Sequence, residues 1–224
     1  MASASVGSAE GPLAGRQLLA CVAEHGSGAH PWPQGEALSR GEEVSRNLAD
    51  LIHFLCVLYG RYPGVIDHAA ARIVEPRARA WIAEASYAFA GERALLARLA
   101  VAAGPVPSTP GAGDSDAAVI GQRHAIEMLA NSERNGCALG AAMAVVLDWS
   151  YVRGALDAAA RRFGVESPPF SAGEAETVAA VADAYADTAP VQRALLFGAQ
   201  QILLQHRGLW DLLEARAAAR SATL

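Results

Sequence analysis

From Asp116 to Phe163 the chain runs for more than forty residues without a proline, and Gly164 follows where a helix would stop. Read as one helix, a single stripe carries Ala125, Met128, Leu129, Ser132, Gly136, Leu139, Gly140 and Met143, the i, i+3, i+4 recurrence of a buried face. Such a rod would be ~70 Å long, whereas a compact globule of this chain length is about 45 Å across. A bend is therefore expected at Asn135-Gly136 or Gly140, because glycines are where helices yield. Ser132, Gly136 and Gly140 also place three small residues on one line, which lets a second helix approach closely. The apolar run from Cys137 to Leu147 is too short to span a bilayer, so that close packing belongs to a bundle in water.

The rest of the composition agrees. Apolar residues make up 52% and charged residues only 18%, which suits a packed core of 224 residues rather than a disordered chain. Roughly a quarter of the residues are alanine, the strongest helix former. All 18 basic residues are arginine. Schiff-base chemistry and phosphate binding through a P-loop lysine are thereby excluded. With a formal charge of -5 and scattered arginines, there is no basic footprint for nucleic acid. Cys21, Cys56 and Cys137 form no CxxC pair; reduced thiols and a cytoplasmic protein are expected.

Residues 1–13 read as a disordered tail, and 14–220 as one helical-bundle domain. A short helix over Gly15–Glu24 is followed by a Gly- and Pro-rich loop, with Trp32 placed to anchor it onto the body. The helix ending at Tyr59 is apolar around Leu51–Leu58 on almost every side except at His53, so it should be buried all round. Pro76 opens a long helix closing at Gly104. Residues 104–116 carry prolines and glycines and form a surface connection, and Pro168-Pro169 marks a second break. Two helices, after Ala172 and from Pro190, complete the chain. The expected fold is an all-α, single-domain bundle of about six or seven helices around one long central helix.

Candidate site residues are few. His53, an imidazole in an apolar helix, must find a hydrogen-bond partner or act as a ligand; it is the candidate cofactor-binding and metal-binding residue, including as a proximal haem ligand. His124 and Glu127 share a helix face with Asn131 and are the further metal candidates, if that face turns inward. Glu84, Glu92, Asp67 and His68 add carboxylates and an imidazole on other helices. A di-iron bundle needs Glu-x-x-His on two helices, and none occurs. Ser132-Glu133-Arg134-Asn135 and the pair Asp148 and Arg153 can fix register through arginine–carboxylate contacts. Gln200, Gln201, Gln205 and His206 can line a pocket or an oligomer interface. GxSxG, HExxH and GxGxxG are missing.

The run HAIEML-x-x-SERNGCALGAA followed by LDW-x-x-VRGALDAAARRFG, His124 to Gly164, resembles the central segment of small all-helical bacterial families of unknown function. The resemblance implies a bacterial protein and transfers no catalytic residue or cofactor. The expected function is therefore non-catalytic: a bundle acting through a protein partner or as a homo-oligomer. The alternative is a metal- or haem-binding bundle with an internal cavity lined by His53.

Overall fold

Polar side chains between Asn131 and Gly136 stop the helix that the hydrophobic pattern continues. In the computed structural model, which describes residues 14–222, the Asn131 amide donates back to the Glu127 carbonyl and the Ser132 hydroxyl accepts from the Arg134 N–H. Such local bonds offer the backbone an alternative to the helical ladder. Gly136 then adopts φ +95°, a left-handed value that favours glycine, and a new helix begins. The expected bend is a full break. It re-phases the two halves, and so Met128, assigned to the buried stripe, is 63% exposed.

Nine α-helices form among the described residues, with no strand. They are α1 (Ala14–His25), α2 (Pro31–Gln34), α3 (Val44–Tyr59), α4 (Val65–Arg72), α5 (Pro76–Ala103), α6 (Ala112–Ala130), α7 (Cys137–Phe163), α8 (Ala175–Tyr185) and α9 (Ala189–Ser221). The number exceeds the six or seven expected because α6 and α7 are separate and the Pro31–Gln34 turn is helical. The all-α class holds. The tail at 1–13 lies outside the described residues.

α7 is the axis. From Cys137 to Val146 every residue is buried, and α9 is its principal partner. Two glycines set that contact. A Cβ on Gly140 would sit inside the van der Waals shell of the Leu195 carbonyl, and one on Gly198 inside that of the Cys137 carbonyl. The backbones of α7 and α9 therefore touch at this crossing. Gly140 from the small-residue line takes part; Ser132 does not, since it lies in the break.

α3 also packs on α7, although its largest contact is with α5. It is not buried all round. Leu51, Ile52 and Leu55 are inaccessible, whereas His53, Cys56 and Val57 form a half-buried face. Glu75 caps α5 by accepting from the Arg77 and Ala78 N–H groups, with Pro76 at the first turn. Gly104 ends α5 at φ +77°. Trp32 does anchor the loop before α3: it is buried, with its ring 6.2 Å from that of Trp210.

Candidate functional site

Asp148 and His206 sit on the faces of α7 and α9 that meet each other. Asp148 is fully buried and His206 is 1% exposed. His206 Nδ1 lies 2.6 Å from Asp148 Oδ2, and His206 Nε2 lies 2.5 Å from the Tyr59 hydroxyl of α3. The other donors to Asp148 come from Ser27, through its backbone N–H at 2.7 Å and its hydroxyl at 2.5 Å. Trp210 Nε1–H completes the chain by donating to the Ser27 hydroxyl oxygen at 2.8 Å. Gly26 is required here, because a Cβ would stand 2.5 Å from Asp148 Oδ1.

The electrostatics fix the protons. Burial pushes the Asp148 carboxyl up, but hydrogen bonds from His206 and Ser27 outweigh it and hold the group below its usual value. Burial, reinforced by the Asp148 charge, holds the Tyr59 hydroxyl well above its ordinary value, so Tyr59 keeps its proton. One assignment satisfies every group: imidazole Nδ1–H donates to Asp148 and Tyr59 O–H donates to Nε2. Ser27 is no nucleophile in this arrangement, since its proton faces a carboxylate and its oxygen accepts from an indole. The chain ties α3, α7, α9 and the loop after α1 into one unit.

Two further networks follow the same logic. Glu92 of α5 accepts from Trp149 Nε1 at 2.8 Å and from Arg153 at 2.5 Å, and Arg153 also donates to Asp157, Ser167 and the Pro168 carbonyl. Burial raises the Glu92 carboxyl, partly opposed by Trp149 and Arg153. On the other side, Asp50 accepts from Arg216 at 2.9 Å and from Arg220 at 2.6 Å, while Glu43 accepts from Arg220 at 2.9 Å. Both arginines reach on to the 104–111 connection: Arg216 to the Pro107 carbonyl, and Arg216 and Arg220 to Thr109.

That connection forms the lip of a largely apolar cleft. The cleft opens between α3 and α6, holds about 480 Å³, and is lined by Phe54, Val57, Val106, Val119 and Ile120 together with His53, Arg61 and Arg123. His53 Nε2 bonds the Gly104 carbonyl at 2.8 Å. The lip is thus pinned by His53 at its start and by Arg216 and Arg220 further on. His53 lines the cleft, yet its outer ring nitrogen is engaged with the backbone.

His124 and Glu127 are elsewhere. Their side chains are 72% and 49% exposed and approach each other only to 3.9 Å, and neither lines the His53 cleft. The three metal candidates are not brought together. Among the described residues, only His30, Asp211 and Glu214 place three ligand atoms within reach of one ion. There His30 Nδ1 accepts from the Trp32 N–H, capping α2, so Nε2 carries the proton and donates to Asp211 at 3.0 Å. A cation at Nε2 would have to displace that proton and the cap with it.

Asp67 pairs with Arg93 and Ser86, and Arg134 of the polar tetrad stacks over Phe197. Asp148 and Arg153 do fix register between helices, although the partner of Asp148 is His206 rather than an arginine. The Asp148–His206–Tyr59 chain was the arrangement that sequence reasoning missed. One signal was present: His206 falls on the same α9 stripe as Ile202, Leu209 and Leu213, all buried.

Residues 22–221 match the model of a family of unknown function, DUF6975, and the chain belongs to that family. No curated protein and no solved structure matches it. No helix among the described residues is long and apolar enough to cross a membrane.

Proposed function

We propose that this family member is a non-catalytic bundle that works by self-association, through the outer face of α6 and α9. The observation that carries the reading is the placement of exposed apolar side chains. Phe197 and Leu204 lie seven residues apart on α9 and are 40% and 47% exposed, and Met128 of α6, which packs on α9, is 63% exposed. The two helices run antiparallel: Gln122 of α6 reaches the Gln205 carbonyl, and Arg134, four residues past the end of α6, covers Phe197. A second copy would cover the same residues by two-fold symmetry, as most homo-oligomers do. The buried ionisable groups of the three networks are spent on holding helices together, which supports a binding role over chemistry. Three free cysteines favour a reducing, cytoplasmic setting, and the resemblance favours a bacterial one.

Light scattering on the purified chain across a concentration series tests this. The wild type is expected as a dimer, and the Phe197→Glu, Leu204→Glu variant as a folded monomer. A wild type that stays monomeric at high concentration removes self-association. One observation supports the alternative of a metal or haem site: His53 stands at an apolar cleft. With Nε2–H donated to the Gly104 carbonyl, Nδ1 is the ring nitrogen left to coordinate. A visible absorption band or stoichiometric metal, lost in His53→Ala, would favour it.

A further inference from the structure

We propose that the cleft between α3 and α6 binds a small amphipathic anion, with an alkyl chain against its apolar wall and the anionic head at Arg61 and Arg123. This goes beyond the self-association reading and does not depend on it, because Phe197 and Leu204 lie outside the cleft.

The wall comes first. Phe54, Val57 and Val119 form its inner side, and Val106 and Ile120 stand at its rim, each about half exposed. A volume of about 480 Å³ lies within the range of small-ligand sites, which are mostly apolar with a few placed polar groups. The lip is held before any ligand arrives. His53 bonds Gly104, and Arg216 and Arg220 bond Pro107 and Thr109. A pre-ordered wall binds without the cost of ordering a loop.

The charges then give an orientation. Arg61 makes no hydrogen bond or ion pair among the described residues. Arg123 has Glu127 at 3.4 Å from its Nε, off the hydrogen-bonding axis, and that Nε is buried without a hydrogen-bond partner. Both arginines also line the small adjoining cleft beneath Pro63 and Val65, so they lie together at one end. Asp116 marks the other end, seven residues back along α6 and therefore about 10 Å away by helical rise. Two guanidinium groups against the one Glu127 carboxylate leave the arginine end net positive, so an anion is drawn to it and repelled from the Asp116 end. A neutral or cationic head lacks that preference. Guanidinium groups suit a carboxylate, which they meet with paired hydrogen bonds.

The test is calorimetric titration of the full chain with four probes: decanoate, 1-decanol, decyltrimethylammonium and acetate. Saturable one-to-one binding of decanoate is expected. Decanol and decyltrimethylammonium should bind at least tenfold more weakly, and acetate not detectably. In the Arg61→Gln, Arg123→Gln variant, decanoate should fall to the level of decanol, and Ile120→Asp should remove binding of both. Should the double variant fail to fold by circular dichroism, Arg61→Gln alone, changed at an exposed position, must still weaken decanoate against unchanged decanol. No heat from decanoate, equal affinity for decanol, or undiminished binding in the folded arginine variant would each overturn the proposal. The dimer's light-scattering mass is expected to be the same with and without decanoate, which keeps the two proposals separable.

Discussion

Replacing Asp148 with alanine removes the acceptor of three buried hydrogen bonds: those from the Ser27 N–H, the Ser27 hydroxyl and His206 Nδ1. A buried donor left without a partner costs roughly 1–3 kcal/mol. The three donors share one site and relax together, so their costs do not simply add and the loss should be about 3–6 kcal/mol. Against a domain stability of about 5–15 kcal/mol, that brings the variant close to unfolding at room temperature. Ser27→Ala keeps the backbone N–H bond but removes the hydroxyl's bond to Asp148 and the acceptor of Trp210 Nε1–H, and should cost about 1–3 kcal/mol. The assay is urea unfolding followed by circular dichroism and by tryptophan fluorescence, since Trp210 bonds Ser27 directly. A double-mutant cycle of Asp148→Ala with His206→Leu should show coupling of about 1–3 kcal/mol. A cost for Asp148→Ala below about 1 kcal/mol, or an additive cycle, would refute the claim that the chain locks α7 to α9.

Titration of the same groups gives opposite limbs. Because the Asp148 carboxyl is depressed in the fold, its contribution is complete above its unfolded value of 3.8 and is lost as pH falls through the lower folded value. The Tyr59 hydroxyl is raised, so its contribution is complete below 10.0 and is lost as pH rises beyond; Tyr59→Phe should flatten the alkaline limb of a melting-temperature profile. Gly140→Ala forces a methyl into the Leu195 carbonyl and should cost about 3 kcal/mol or more. Gly154→Ala, where a Cβ meets nothing, should instead raise the melting temperature through a gain of about 0.5–1 kcal/mol. His53→Ala loses the single bond to Gly104 and should cost about 1 kcal/mol by urea unfolding.

Much of the architecture was legible because helix signals are local. Pro76 and Gly104 bracket α5 as expected, and Gly164 ends α7. The break at residues 131–136 was harder to read, because every residue in it is tolerated in helices and only Gly136 takes a positive φ. The failure carried over to Met128, whose phase was counted across a helix that stops. His53 drew attention as a histidine among apolar residues, but its partner is a backbone carbonyl fifty-one residues away along the chain, a contact no spacing rule reports. His206 hid for a related reason. Among glutamines it read as part of a polar pocket or an oligomer interface, although its phase on α9 matches that of buried leucines. The cleft is assembled from α3, α6 and a connection between two other segments, so tertiary packing alone creates it.

The most direct measurement is the nitrogen-15 spectrum of the His206 imidazole at neutral pH, assigned by comparison with His206→Gln. A closed chain from Ser27 to Tyr59 requires the proton on Nδ1, bonded to Asp148 and exchanging slowly with water. A proton on Nε2 alone would contradict the assigned direction of the chain, and one that exchanges as fast as that of the exposed His124 would mean that the chain is open to solvent and its groups are free for other work.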